Sequence, residues 1–189
     1  VRESSGVELC LQHFNEHASW VLDPTLLLST TEYLSLINHH KKEACNKDNK
    51  ILFSYILDNT IEKENTLLSI AQELKYNFRK IALIENFSAS LEERTPVSIE
   101  EWLYNFHQAD LIITNSFHGC IFSIIFNKDF FVVGNKNRGM ARFHSLLSLL
   151  NLENRFVYSF DELSVQKIKI KIDWNKTNRI LEKQRSHSI

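Results

Sequence analysis

The chain has 189 residues, of which 43% are hydrophobic, and its 22 basic and 23 acidic residues give a net charge of -1. This length supports one full hydrophobic core, so we expect residues 1–189 to form a single domain. The mixed charges argue against nucleic acid as a partner. Three widely spaced cysteines without a Cys-x-x-Cys pair favour a reduced, cytoplasmic compartment. No apolar run approaches the roughly 20 residues of a membrane span.

The first 50 residues are predicted to contain two helices and a loop. Apolar residues at spacings of four and three predict a helix over Glu3 to Phe14. A short helix is predicted at Thr31 to Ile37, and the polar composition of Lys41 to Lys50 is typical of an exposed loop. Because the chain opens without methionine and enters a helix at once, we expect it to be part of a larger protein.

Strand-like and helical segments then alternate, which predicts an α/β fold. The apolar run Ile51 to Leu57 is typical of a central strand covered by helices on both faces. The next predicted segments are helix Glu62–Tyr76, strand Lys80–Ile84, helix Ser98–His107, strand Leu111–Thr114, helix Phe117–Phe126, strand Phe130–Val133 and helix Met140–Asn151. Ser98 and Glu101 have the spacing of a capping box. We therefore expect a Rossmann-like, three-layer parallel sheet with flanking helices.

The last 40 residues are predicted to hold one further helix. It spans about Trp174 to Ser186. Before it, lysine and isoleucine alternate over Lys167 to Lys171, a pattern that fits either an edge strand or a turn.

Polar residues follow the predicted strand that ends at Thr114, in the sequence Asn115-Ser116-Phe117-His118-Gly119. Ligands of parallel sheets bind beyond the carboxyl ends of the strands, where loops enter helix N-termini. Either Asn115 or Ser116 can cap the helix, and its first N–H groups can bind an anion. His118, in the first turn, is suited to general acid–base chemistry, or it only caps or packs. These five residues are candidate site residues.

A second loop with polar and charged side chains follows the predicted strand Phe130 to Val133. It contains Lys136 and Arg138 between two glycines, and Arg142 lies about one helical turn further on. Arginine binds carboxylate and phosphate oxygens in a bidentate manner, so this cluster could hold a small polyanion. On composition alone, a solvated basic loop is an equal alternative. The position of both loops after neighbouring strands favours a shared anion site.

Other chemical signatures are weak. His13 and His17 have the spacing of a helical metal pair, but the His-Glu-x-x-His order and a third ligand are missing, so we expect no metal site. The sequence has no Walker phosphate loop, no Gly-x-Gly-x-x-Gly fingerprint and no Gly-x-Ser-x-Gly elbow. This argues against nucleotide hydrolysis, dinucleotide redox chemistry and serine hydrolysis.

Five stretches, taken in order, resemble the C-terminal half of the polysaccharide pyruvyltransferases. The one with the most distinctive motif runs from Ala109 to Gly119 and ends in the histidine–glycine turn His118-Gly119. The other four are Val1–Gly6, Val21–Leu27, Ser98–Trp102 and Gly134–Phe143. The similarity spans most of the chain.

The resemblance implies a glycosyltransferase-B-like enzyme of two Rossmann-like lobes, in which this chain is the C-terminal lobe and an N-terminal lobe completes the site. Such an enzyme transfers a pyruvyl group from phosphoenolpyruvate to a saccharide as a cyclic ketal, in exopolysaccharide or cell-surface glycan biosynthesis. It needs no metal or cofactor. A lipid-linked saccharide acceptor would bring it to the inner face of the membrane.

The resemblance also implies roles for individual residues. His118 matches the family's histidine and would be the catalytic acid or base, and Arg2 would help to bind phosphoenolpyruvate. Many relatives have arginine–leucine before that histidine, whereas this chain has Ser116-Phe117. One anion contact would therefore have moved to Lys136, Arg138 or Arg142.

Two other functions remain open at this point. A glycosyltransferase of the same two-lobe fold would bind a sugar nucleotide at the same helix terminus, because fold alone does not determine chemistry. A non-catalytic lobe that binds a glycan would use the same surface without turnover. Dependence on phosphoenolpyruvate distinguishes a pyruvyltransferase from both of these alternatives.

Overall fold

The computed structural model describes residues 1–37, 49–81, 97–135 and 139–189. Its strands are β1 (Ile51–Tyr55), β2 (Asn77–Lys80), β3 (Leu111–Thr114), β4 (Asp129–Val133) and β5 (Phe156–Val157). Its helices are α1 (Ser4–Phe14), α2 (Thr30–Ile37), α3 (Ile61–Leu74), α4 (Ile99–Gln108), α5 (Phe117–Ile125), α6 (Ala141–Leu149), α7 (Val165–Lys169) and α8 (Trp174–Ser188). Among these described helices, none is long and apolar enough to cross a membrane.

The five strands form one parallel sheet in the order β2-β1-β3-β4-β5. The chain builds outward from β1 to β2, and then returns to the other side of β1 to add β3, β4 and β5. The direction of winding therefore reverses between β1 and β3. In open α/β sheets the crevice at such a reversal, beyond the carboxyl ends of the strands, is where ligands bind.

Helices cover both faces of the sheet, which confirms the predicted three-layer α/β architecture. Successive residues of β4 alternate between two hydrophobic cores, because side chains along a strand point to opposite faces. Phe130 and Val132 belong to the core beneath α4, α5 and α6. Phe131 and Val133 belong to the other core, where Leu67 of α3 is packed. A strand that is buried on both faces is largely apolar, and this is why β1, β3 and β4 were predicted from nearly continuous apolar runs.

Aromatic residues fill the larger core next to the β1–β3 crevice. Phe53 of β1 and Phe106 of α4 are both fully buried, and their rings meet edge to face at 5.0 Å. Trp102 lies one helical turn before Phe106, and the centroids of their rings are 4.6 Å apart. The Trp102 ring also meets that of Phe122 of α5 edge to face, with centroids 5.0 Å apart. These contacts fix α4 against β1 and α5.

Most predicted elements are confirmed within a few residues, but the strand after α3 begins earlier than predicted. It spans Asn77–Lys80 rather than Lys80–Ile84, of which residues 82–84 lie outside the described residues. Most of the predicted loop Lys41 to Lys50 also lies outside them. The predicted cap at Ser98 is confirmed, because its side chain accepts a hydrogen bond from the Glu101 N–H at 3.1 Å.

The strand or turn predicted at Lys167 to Lys171 is wrong. Residues 165–169 form the short helix α7, capped by Ser164. Val165 and Ile168 are both buried, a spacing of three that places them on one helix face, whereas Ile170 is 59% exposed. The edge strand next to β4 is β5, whose two residues are too short a pattern to detect in the sequence.

We expect Phe106→Ala to lower the free energy of unfolding by about 3–5 kcal/mol, because it empties a fully buried aromatic site. Ile99→Ala on the same helix changes a side chain that is 61% exposed and should cost about 0.5 kcal/mol. Denaturant unfolding of both variants measures the difference. Equal losses would contradict the assignment of Phe106 to the core.

Candidate functional site

The loop between β3 and α5 is held in place by a chain of hydrogen bonds at the β1–β3 crevice. The Thr114 hydroxyl donates to the Tyr55 carbonyl at 2.7 Å and accepts from the Ser116 N–H at 3.0 Å. Ser116 then caps α5, since its hydroxyl oxygen accepts from the Gly119 N–H at 3.3 Å. Of the two predicted capping residues, Ser116 is therefore the cap. The end of β1, the end of β3 and the start of α5 are fixed relative to one another.

Gly119 is required by close packing between the first turn of α5 and the end of β3. A Cβ atom at Gly119 would lie 3.1 Å from Thr114 Cβ and still closer to its hydroxyl oxygen. Any larger residue would have to push the helix away from the strand. The close approach at Gly119 is thus between two parts of the chain.

Asn115, the other predicted capping residue, connects the loops that follow β1 and β3. Its side-chain oxygen accepts from the Leu57 N–H at 2.8 Å, and its side-chain nitrogen donates to Asp58. The second oxygen of Asp58 accepts from Lys63 Nζ and from Asn135 Nδ2, both at 2.9 Å. Asp58 therefore links the loops that follow three neighbouring strands, β1, β3 and β4.

The surroundings of Asp58 favour its ionised form. Partial burial by itself would raise its pKa, but the hydrogen bonds from Lys63 and Asn115 and the charge of Lys63 outweigh burial and lower it. Sequence reasoning did not select this residue. The available signal was an acidic residue directly after the apolar run Ile51 to Leu57, at the carboxyl end of a central strand.

Two predicted anion-binding arginines meet at Phe117, the first residue of α5. The guanidinium carbon of Arg2 lies 5.2 Å from the centroid of the Phe117 ring, and that of Arg142 lies 5.3 Å from it. The rings of Phe117 and His118 have centroids 6.0 Å apart, and the His118 side chain is exposed. Arg2, Arg142 and His118, which are far apart in sequence, therefore surround one aromatic ring.

Arg2 is held in this position by Asp23. The two side chains form an ion pair at 2.7 Å, in which Asp23 is buried and Arg2 is 41% exposed. Burial alone would raise the pKa of Asp23, but hydrogen bonds from Thr25 and Arg2 lower it, so the carboxylate stays ionised at neutral pH. Asp23 also caps the short turn Pro24–Leu26, which ties Arg2 to the body of the lobe.

A cleft of about 540 Å³ opens beside His118 at the carboxyl ends of β1 and β3. Its lining is aromatic and aliphatic apart from a few polar groups: Tyr55, Leu57, Ile81, Val97, Ile99, Trp102, Ser116, His118 and Phe122. This size lies in the range of about 300–1,000 Å³ found for small-molecule sites. Apart from His118, none of these nine described residues has an ionisable side chain that is charged at neutral pH.

The remaining predicted residues are placed as follows. Lys136 and Arg138 lie outside the described residues. Within the described part of the chain, no three His, Cys, Asp or Glu side chains form a group that could hold a metal ion. Cys120 of α5 is fully buried, and burial raises the pKa of its thiol, so it is unsuited to act as a nucleophile at neutral pH.

The fold is shared with part of a solved glycosyltransferase structure. The chain is similar to the glycotransferase of kitacinnamycin with a TM-score of 0.56 and 15% sequence identity, over 80% of this chain and 43% of that one. This chain therefore spans less than half of that protein. At this identity the likeness establishes the class of fold, a parallel α/β lobe of the glycosyltransferase-B type.

The sequence of the chain matches the model of a known protein family. The model of the polysaccharide pyruvyl transferase family matches residues 1–137, which include Arg2, the Asp58 network and the turn at His118. The chain belongs to this family of transferases, which confirms the resemblance found in the sequence. The comparison with curated proteins finds no match.

We expect Asp58→Asn to lower the free energy of unfolding by about 1–2 kcal/mol at pH 7, because the amide cannot accept all the hydrogen bonds that reach the carboxylate. The lowered pKa of Asp58 gives a stability contribution that is present above the unfolded-state pKa. This contribution is lost as pH falls through the folded-state value. The difference between wild type and variant should therefore be constant from about pH 5 to 8 and shrink below about pH 4.

The matched control is Asp161→Asn, which changes an exposed aspartate in the turn Phe160–Glu162. It should leave stability within about 0.5 kcal/mol of wild type. Denaturant unfolding at several pH values checks both variants. If Asp58→Asn were as stable as Asp161→Asn at pH 7, the three-loop role of Asp58 would be wrong.

Proposed function

We propose that this chain is the C-terminal lobe of a polysaccharide pyruvyltransferase that transfers a pyruvyl group from phosphoenolpyruvate to a saccharide as a ketal. The observation that carries the proposal is the grouping of Arg2, Arg142 and His118 around Phe117 at the start of α5. Phosphoenolpyruvate carries a carboxylate and a phosphate, and two guanidinium groups match two such anions.

The start of α5 supports the same donor. The N–H groups in the first turn of a helix have no partners within the helix, and the helix dipole is positive there. A phosphate near Phe117 and His118 would be stabilised both before and after its bond to carbon breaks. Because Arg2 is fixed by Asp23 and the turn is fixed by Thr114 and Ser116, the site is organised before substrate arrives.

The reaction can be written with its protons balanced. Protonation of the methylene carbon of phosphoenolpyruvate makes the neighbouring carbon electrophilic, and a sugar hydroxyl adds to it. Phosphate then leaves, and a second hydroxyl of the same sugar closes the cyclic ketal. Of the two hydroxyl protons, one is balanced by the new methyl group and the other by the released phosphate. In this proposal His118 delivers or accepts a proton at this centre.

A second lobe completes the active site in this proposal. The likeness to less than half of a glycosyltransferase chain supports an additional lobe facing the carboxyl edge of this sheet. The pathway that fits is biosynthesis of an exopolysaccharide or another cell-surface glycan. A lipid-linked saccharide acceptor would bring the enzyme to the inner face of the membrane.

We expect His118→Ala in the complete gene product to lower phosphoenolpyruvate-dependent pyruvylation by about 100-fold or more, the effect of losing a general acid or base. The measurement is a pyruvyl-sized mass gain on candidate oligosaccharides. His13→Ala, which changes an exposed histidine on α1, is the matched control and should retain full turnover.

Three outcomes would contradict the proposal or part of it. Wild-type turnover by His118→Ala would remove this residue from the mechanism. Turnover of sugar nucleotides without any dependence on phosphoenolpyruvate would make the protein a glycosyltransferase of the same fold. Binding of a glycan without turnover of either donor would indicate a non-catalytic lobe.

A further inference from the structure

The cleft beside His118 differs chemically from the arginine pair at Phe117. Except for His118, the described residues that line it are uncharged at neutral pH, whereas phosphoenolpyruvate carries a carboxylate and a phosphate. Burying such an anion in an apolar cleft without cationic partners would cost more than its contacts return. The described part of the lining therefore favours a neutral occupant that is distinct from the donor.

His118 can reach both places because of its position on α5. His118 and Phe122 are four residues apart and lie on the same helix face, which lines the cleft. Phe117 lies about 100° around the helix, where it packs against Phe143 and the two guanidinium groups. A proton carried by His118 is thus available to ligands on both sides.

The cleft wall has flat apolar surfaces with polar groups at their edges. Trp102 and Tyr55 are both partly exposed and meet nearly at right angles, with ring centroids 5.5 Å apart. In the described part of the chain, neither Tyr55 Oη nor Trp102 Nε1 makes a hydrogen bond. The Ser116 hydroxyl accepts from Gly119 N–H, and its own proton remains available to a ligand.

We propose that this cleft is the acceptor subsite and binds a neutral sugar ring, with Trp102 as the stacking platform. A pyranose has an apolar face of C–H groups and a polar rim of hydroxyls, which matches an aromatic wall with polar edges. In this position the rim of the sugar faces Ser116 and His118. The inference rests on the proposed function for the role of the sugar as acceptor, but binding of the sugar can be measured independently.

The test uses saturation-transfer NMR on the complete gene product with methyl glucoside, methyl galactoside and methyl mannoside as probes. Ile99 is 61% exposed and lines the cleft, so Ile99→Asp places a charge at its edge without opening the core. Ile61→Asp is the matched control. Each isoleucine is the first residue of a helix after a serine or threonine cap, and Ile61 is 80% exposed and does not line the cleft.

We expect at least one glycoside to bind wild type and Ile61→Asp equally. The same glycoside should bind Ile99→Asp, which carries a charge at the edge of the cleft, and Trp102→Leu, which loses the stacking contact, about tenfold more weakly. Unchanged binding by Ile99→Asp would overturn the proposal even if Trp102→Leu failed to fold. It would equally be overturned if wild type bound none of the glycosides, or if a short prenyl alcohol bound instead and was the ligand lost in Ile99→Asp.

Kinetics separate this inference from the proposed function. If both hold, Ile99→Asp raises the KM for the saccharide about tenfold while the KM for phosphoenolpyruvate stays within about twofold. Glycoside binding in the cleft without any pyruvylation would contradict the proposed function but support the sugar site. If Ile99→Asp pyruvylates the saccharide with an unaltered KM for it, the proposed function stands and the sugar site in the cleft is wrong.

Discussion

The contact between Gly119 and Thr114 determines where α5 begins, and the rest of the site depends on it. Because Gly119 has no Cβ, the first turn of the helix lies directly against the end of β3. Thr114 uses the same hydroxyl to bind Tyr55 of β1 and the backbone of Ser116. The start of α5 is thus fixed at the point where the winding of the sheet reverses. His118 and the first N–H groups of the helix are presented there.

Electrostatics then divide this edge of the sheet into three regions. The ionised Asp58 holds the loops after β1, β3 and β4 together through Asn115, Asn135 and Lys63. On one side of α5, two guanidinium groups lie against Phe117 and form a cationic region. On the other side is the aromatic cleft. In the proposed function an anionic donor would bind at the cationic region and a neutral sugar in the cleft, with His118 between them.

The sequence predicted the parts of this arrangement that depend on local patterns. Apolar runs identified β1, β3 and β4 because strands buried on both faces consist mostly of apolar residues. The turn at His118 and the cap at Ser98 were detected from short motifs. Strand order predicted that the Arg142 loop and the Phe117 turn lie at one edge, and the resemblance assigned Arg2 to the same site, but the contacts of both arginines with the Phe117 ring depend on tertiary packing across 140 residues of chain. Asp58 was missed for a related reason: its partners Lys63, Asn115 and Asn135 belong to three separate parts of the chain, the start of α3 and the loops after β3 and β4.

The most direct measurement is a crystal structure of the complete gene product with phosphoenolpyruvate. We predict that the carboxylate and phosphate of the ligand lie between Arg2 and Arg142 at the start of α5. The His118 imidazole should lie within proton-transfer distance of the methylene carbon, and the aromatic cleft should be free for a sugar. Phosphoenolpyruvate bound inside the cleft, or away from α5 altogether, would contradict it.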